Sequence, residues 1–123
     1  MGICTPMVEL SPQCAARELL KRRRIRLGLI DWARHKGFEP AKHHQLIINE
    51  IESFLASDDD VLLLFAPPGS AKSTYVSVLL PSWYLANHTT HSILAATHSV
   101  EFAERWGRRV RNDIARHQAI RRQ

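Results

Sequence analysis

Residues 61–75 constrain the fold of this 123-residue chain more than any other stretch. The segment begins with an apolar run at 61–65, passes through small residues at 66–71 and ends in Lys72-Ser73-Thr74. An apolar run of this length predicts a buried strand, which Pro67, Pro68 and the following glycine would stop. A helical pattern then resumes. The order of strand, loop and helix predicts a phosphate-binding loop, because backbone N–H groups at the start of a helix can surround an anion.

The loop ends as phosphate-binding loops of the G-x-x-x-x-G-K-[ST] type do. Lys72 would place its charge beside the β- and γ-phosphates, and the Ser73 hydroxyl would ligate Mg²⁺. Both glycine positions of the pattern are alanines here, Ala66 and Ala71, and the β-carbon of Ala71 restricts the backbone. The alternative is an ordinary connection between a strand and a helix, with Lys72 facing water. The residues expected to hold the phosphates are Pro68, Gly69, Ser70, Ala71, Lys72, Ser73 and Thr74.

The rest of the chain predicts an α/β fold with a parallel sheet and flanking helices. Residues 92–97 form a second apolar run with small side chains, and Thr97-His98-Ser99 would end it at the same sheet edge as the loop. Helices are expected at about 12–36, 40–56, 71–87 and from Ser99 onward. Pro81 should kink the third of them near Ser77.

Apolar spacing gives each predicted helix a buried face. The first helix would use Leu19, Arg23, Leu27 and Ile30. The second would use Leu46, Ile47, Ile51, Phe54 and Leu55. The last would use Ala103, Trp106, Val110 and Ile114.

Gln45 is the candidate residue for recognising a base. A glutamine amide can pair with the N6/N7 edge of adenine, and Gln45 precedes the loop by about two dozen residues. An exposed helix glutamine is the alternative.

The neighbouring His43 and His44 project about 100° apart on a helix, so they make a poor chelating pair. Residues 58–60 are three aspartates that precede their strand, and we expect a solvated turn there.

The charge of the chain suggests an acidic partner. Seventeen Lys and Arg against twelve Asp and Glu give a net charge of +5, with clusters at 21–26 and 105–122. Such clusters favour double-stranded DNA, although a solvated helix face gives the same pattern.

Cys4 and Cys14 match no metal-ligand pattern or disulfide framework and fit a reducing cytoplasm. No apolar run is long enough to cross a membrane.

Several stretches together resemble the N-terminal ATPase region of tailed-phage terminase large subunits. They are the loop at 67–75, Trp83-Tyr-Leu-Ala86, Ala95-Ala-Thr-His98, the run at 103–112 and the upstream Phe38-Glu-Pro-Ala-Lys-His-His-Gln45. The similarity extends over about residues 18–112. A Gly-Ser-Ala-Lys-Ser loop is similar to variants in that family, which accounts for the alanine at 71.

The resemblance implies a motor that couples ATP hydrolysis to the packaging of double-stranded DNA in the cytoplasm of a phage-infected or prophage-carrying bacterium. It implies ATP and Mg²⁺ as ligands, with Gly69 to Lys72 on the phosphates, Ser73 on the metal and Gln45 on the adenine. Thr97 and His98 would couple nucleotide state to DNA. The expected partners are the terminase small subunit, the capsid portal and, in the full-length protein, further copies of the chain. The family's loop arginine is missing here.

The resemblance also implies a division at residue 37. Residues 1–37 would be a basic helical segment, and residues 38–123 the first portion of a P-loop ATPase domain. No strand ending in an acidic pair follows Ser99, so we expect a fragment of a longer gene product that binds ATP but hardly hydrolyses it. Its open sheet edges should promote association. Two alternatives are a non-catalytic basic module that binds DNA or a partner, and a fragment of another helicase-like ATPase.

Overall fold

The computed structural model describes residues 12–121, and Cys4 and Arg122 lie outside this range. Seven helical segments follow one another: α1 (Pro12–Leu27), α2 (Leu29–His35), α3 (Lys42–Ala56), α4 (Lys72–Thr74), a π-helical turn (Tyr75–Leu79), α5 (Leu80–Asn87) and α6 (Val100–Arg121). From α4 to α5 the chain is helical without a break. None of the described helices is both long enough and apolar enough to span a membrane.

The predicted α/β fold with a parallel sheet is wrong, because residues 12–121 contain no strand. Neither apolar run, 61–65 or 92–97, forms a backbone hydrogen bond with the other. Their largest side chains face outward: Phe65 is 91% exposed and Leu94 98% exposed. The physical reason is that a strand depends on cross-strand hydrogen bonds and side-chain pairs, and a two-stranded sheet alone is marginally stable in water.

The core is small and helical. Its buried residues come mainly from α2, with contributions from α1, α3 and the π-helical turn: Ile25, Leu29, Trp32, Ala33, Ile48, Tyr75 and Leu79. Trp32 Nε1 donates a hydrogen bond to Ser82 Oγ at 3.1 Å, and Ser82 Oγ donates to the Leu79 carbonyl at 3.0 Å. These bonds satisfy the only polar groups that the indole and the buried serine bring into the core of the described residues.

The single helix predicted for residues 12–36 is divided at Gly28. This residue has an extended backbone, with φ −130° and ψ 134°, and separates α1 from α2. Leu19 and Leu27, before the break, are exposed, while Leu29, directly after it, is buried. The face predicted for this helix is therefore wrong, since it assumed one uninterrupted helical period across the glycine.

The other predicted helices form close to their expected bounds. In α3 the buried residues are Ile48 and Ile51, while Leu46 and Leu55 of the predicted stripe are exposed. The distortion expected from Pro81 is present as the π-helical turn, which ends one residue before α5 begins. Proline lacks an N–H and its ring clashes with the carbonyl four residues earlier, so a wider turn relieves the contact.

The last helix, α6, contacts α2 through the Trp32 and His117 rings, whose centres are 4.8 Å apart, and through Lys36, the residue that follows α2. Lys36 Nζ donates to the Asp113 carbonyl at 2.8 Å and lies 4.9 Å from the centre of the Trp32 ring. Burial lowers the pKa of Lys36, and the neighbouring Asp113 carboxylate opposes that shift. Burial also lowers the pKa of His35 at the end of α2, and the positive charges of Lys36 and Lys21 add to the effect.

Candidate phosphate-binding loop

Two residues of the predicted loop adopt the left-handed backbone conformation. Gly69 has φ +79°, and Ala71, the residue preceding α4, has φ 55° and ψ 17°. Glycine adopts this conformation freely, whereas alanine loses roughly 1–2 kcal/mol in it. Ala71 occupies the second glycine position of the motif, so the chain adopts at this position a backbone conformation that favours glycine, despite the β-carbon.

The loop leaves consecutive backbone donors unpaired at the start of a helix. The first helical bonds run from the Thr74 and Tyr75 N–H groups to the Ala71 carbonyl, at 3.0 and 3.3 Å. Within the described chain, the N–H groups of Ala71, Lys72 and Ser73 donate no hydrogen bond. Adjacent free N–H groups at a helix start attract an anion, because each carries partial positive charge.

Ser70 has an enclosed hydroxyl with no partner. Its Oγ is shielded from solvent and has no hydrogen bond in the part of the chain that the structure describes. Its N–H makes a long bond of 3.3 Å to the Pro67 carbonyl, which closes the turn over Pro68 and Gly69. A buried hydroxyl without a partner is costly, so the loop contains one unsatisfied polar group in this arrangement.

The Ser70 carbonyl is bonded to His44, which lies in the first turn of α3. His44 Nδ1 accepts from the Ala41 N–H at 3.1 Å, and His44 Nε2 lies 2.8 Å from the Ser70 oxygen. Because a backbone N–H can only donate, Nδ1 is unprotonated, and Nε2 carries the hydrogen that it donates to Ser70. The imidazole also stacks on Tyr75, with ring centres 4.3 Å apart and an angle of 24° between the planes.

Tyr75 supports this arrangement by stacking on the His44 ring. Its side chain is buried, and it follows α4 directly as the first residue of the π-helical turn. Burial raises the pKa of the Tyr75 phenol, and the Glu39 carboxylate raises it further. The ring is therefore a neutral, fixed surface that sets the plane of the His44 imidazole.

Gln45 lies next to His44 in α3 and is half-buried. Its Nε2 donates to the Pro40 carbonyl at 2.9 Å, which orients the amide and leaves one N–H and the Oε1 oxygen for a ligand. The bond between His44 and Ser70 joins this first turn of α3 to the loop. The residue predicted to recognise adenine and the residues predicted to hold phosphate thus lie on directly connected segments.

Lys72, Ser73 and Thr74 form the whole of α4, and Lys72 makes no ion pair in the described chain. Ser73 is exposed, so its hydroxyl is open to a solvated metal ion. Pro68 is exposed within the turn.

The aspartates at 58–60 lie in an exposed turn after α3, where Asp59 accepts a hydrogen bond from Ser57 Oγ at 2.9 Å.

The predicted approach of Thr97 and His98 to the loop depended on the sheet edge, which does not form. Thr97 instead lines an open apolar groove with Pro81 and Trp106. His98 lies against Phe102, with ring centres 5.2 Å apart. Nothing in this placement supports a role for either residue in sensing a nucleotide.

His44 was missed by sequence reasoning as part of the site. The sequence shows two adjacent histidines. Their spacing indicates whether both can bind one metal ion, but it does not reveal a contact with a distant residue. Its actual partner, Ser70, lies 26 residues along the chain. The one available signal is its position, immediately before the candidate glutamine and at the start of an amphipathic helix.

A second candidate surface is an open basic cleft of about 560 Å³ between α1 and α2. Its lining includes Arg17, Lys21 and Arg24, which form no ion pair in the described chain. By contrast, Arg34 at the rim is bonded to Glu39 at 3.1 Å. The three unpaired cations are spaced four and three residues apart, so they lie on one face of α1.

Comparison with protein-family models, with curated proteins and with solved structures finds no match to this chain.

Proposed function

We propose that this chain binds the phosphates of Mg²⁺-bound ATP at residues 68–74, as the nucleotide-binding part of a DNA-packaging motor of the terminase large-subunit kind. The observation that supports the proposal is the run of free N–H groups from Ala71 to Ser73, which the left-handed conformation of Ala71 turns to the start of α4. Lys72 adds a full positive charge to the same turn. The packaging context rests on the sequence resemblance alone.

Each residue has a chemical task in this proposal. The backbone of Gly69 to Lys72 binds phosphate oxygens, Thr74 offers a hydroxyl, and Ser73 ligates the magnesium ion. Gln45 contacts the adenine edge through its remaining amide groups. The proposal covers binding and does not extend to hydrolysis, because the sequence identifies no residue that would orient an attacking water.

Replacing Lys72 with alanine is expected to weaken ATP binding by roughly 10- to 150-fold. A hydrogen bond to a charged group contributes about 1.5–3 kcal/mol, and each 1.4 kcal/mol is a factor of ten in affinity. The measurement is an equilibrium titration with a fluorescent ATP analogue in the presence of magnesium. Arg23→Ala is the matched control, since Arg23 is exposed, forms no ion pair among the described residues and carries the same charge.

Equal affinities of native protein and Lys72→Ala would remove the loop from the proposal. An equal loss in Arg23→Ala would show that the titration reports net charge and not a site. A loss confined to Lys72→Ala would support recognition of the phosphates themselves if native protein also binds inorganic triphosphate and Lys72→Ala weakens that binding as well.

The second candidate function is binding of double-stranded DNA by the cleft face of α1. The observation that favours it is that Arg17, Lys21 and Arg24 form no ion pair among the described residues. The nearby Arg22 and Arg34, by contrast, are each paired with a carboxylate. Unpaired cations on one helix face can neutralise neighbouring phosphates and release their counterions. This function is independent of ATP.

Changing Arg17, Lys21 and Arg24 together to glutamine is expected to weaken DNA binding and flatten its salt dependence. The slope of log affinity against log salt should fall by about 2.7, which is 0.9 for each lost phosphate contact. Anisotropy with a labelled duplex over a salt series measures it.

The matched control removes three charges from α6 with Arg105→Gln, Arg108→Gln and Arg109→Gln, which leaves the cleft intact. If both triple variants lose the same slope, binding follows net charge and the cleft is not a site.

A further inference from the structure

We propose that His44 is a positioning residue that locks the peptide between Ser70 and Ala71 in the orientation needed for phosphate binding. The inference rests on the proposed function of the loop. It follows from three observations: the bond from His44 to the Ser70 carbonyl, the left-handed φ of Ala71, and the free N–H of Ala71.

The geometry of a planar trans peptide connects these observations. In such a unit the carbonyl oxygen of one residue and the N–H of the next point in opposite directions. His44 holds the Ser70 oxygen toward α3, so the Ala71 N–H is turned away from α3. This orientation leaves that N–H free as a donor for an anion beside the start of α4.

The opposite orientation of this peptide would relieve the strain in Ala71. A half-turn of the peptide plane takes φ of Ala71 from 55° to about −125°. With ψ at 17° this lies near the bridge region, which is allowed for alanine and avoids the left-handed penalty. The left-handed conformation is disfavoured for alanine by roughly 5- to 30-fold in population. The half-turn would also bring the Ser70 oxygen to the side of the phosphates, where its partial negative charge repels them.

His44 opposes this relaxation. Its Nε2 hydrogen bond is made only while the Ser70 oxygen faces α3, and the ring is fixed for that bond by the Ala41 N–H and by stacking on Tyr75. A typical hydrogen bond is equivalent to about 2- to 13-fold in population. The two effects are of similar size, so removing the bond should shift the loop appreciably toward the relaxed form.

The test is a double-mutant cycle between His44 and Ala71, read as affinity for the fluorescent ATP analogue with magnesium. His44→Ala is expected to weaken binding about 2- to 13-fold. Adding Ala71→Gly should restore most of that loss, since glycine has no penalty in the left-handed conformation. His43→Ala is the control, because His43 is exposed and its ring only lies against His44, with centres 3.9 Å apart.

The outcomes separate this inference from the proposed function. If Lys72→Ala weakens binding but His44→Ala does not, or if Ala71→Gly gives no rescue, the lock is wrong and the loop remains a phosphate site. If Lys72→Ala has no effect on ATP affinity, the proposed function of the loop is wrong, and the inference about His44 is wrong with it. Should His44→Ala not fold, His44→Gln and His44→Asn replace it: only the longer glutamine amide reaches Ser70, so the asparagine variant alone should lose affinity.

Discussion

Replacing Trp32 with alanine is expected to lower the free energy of unfolding by about 3–5 kcal/mol. Trp32 is the largest fully buried side chain and lies at the centre of the only core cluster described in residues 12–121. Truncation leaves a cavity, removes the bond to Ser82 and takes away the ring that lies below the Lys36 ammonium. Urea denaturation followed by far-UV circular dichroism measures the loss.

A loss of this size is a large part of the stability of a small domain, which is about 5–15 kcal/mol. Two further variants make the result interpretable. Trp32→Phe keeps most of the volume and should cost less, while Phe65→Ala should change stability by no more than about 0.5 kcal/mol because Phe65 is exposed. If Phe65→Ala were as damaging as Trp32→Ala, residue 65 would belong to a core, and the helical architecture would be incorrect.

The helices were predictable because their signals are local. Apolar residues at helical spacing indicated three helices, and all three form near the expected residues: α3, the continuous helix from α4 to α5, and α6. The position of Pro81 indicated where the second of these is distorted. The faces were less predictable. A single glycine at position 28 divides the first helix, and the sequence does not say whether a helix continues through a glycine or breaks there.

The sheet was also predicted from local signals, but strand formation depends on pairing between distant segments. The runs at 61–65 and 92–97 have strand-like composition, and a partial alternation remains, with Leu62 and Leu64 half-buried between exposed neighbours. Composition predicts what a segment would do beside suitable partners, and pairing decides whether a strand forms. These two runs do not pair, so the runs expected to be buried are largely exposed instead.

In the candidate site, too, the local features were predictable and the long-range contact was not. The motif spacing marks the stretch from Pro68 to Thr74, and the requirement for an unusual backbone at Ala71 follows from the position of the second glycine in the motif. The contact from His44 to Ser70 joins two segments of different helices, so no spacing rule reveals it. It is also the contact that determines which way the loop peptide faces.

Replacing Glu52 with alanine is expected to cost about 1–3 kcal/mol, the second large effect on folding. Glu52 Oε1, in α3, accepts a hydrogen bond of 2.7 Å from the N–H of Leu29, the first residue of α2. Gly28 precedes α2 and has no side chain to cap it, so the carboxylate takes over that role from another helix, at the positive end of the helix dipole. Because Leu29 is buried, its N–H would be left without a partner.

Chemical denaturation of three variants tests this interpretation of the break at Gly28. Glu52→Gln keeps an acceptor oxygen without the charge and should lose roughly half as much as Glu52→Ala, since charged bonds are about twice as strong as neutral ones. Glu50→Ala removes an exposed carboxylate from the same helix and should be nearly neutral. Equal effects of Glu50→Ala and Glu52→Ala would mean that helix charge, and not the cap, is responsible. A loss confined to Glu52 would mean that α2 depends on α3 to begin at Leu29, because the local sequence provides no cap.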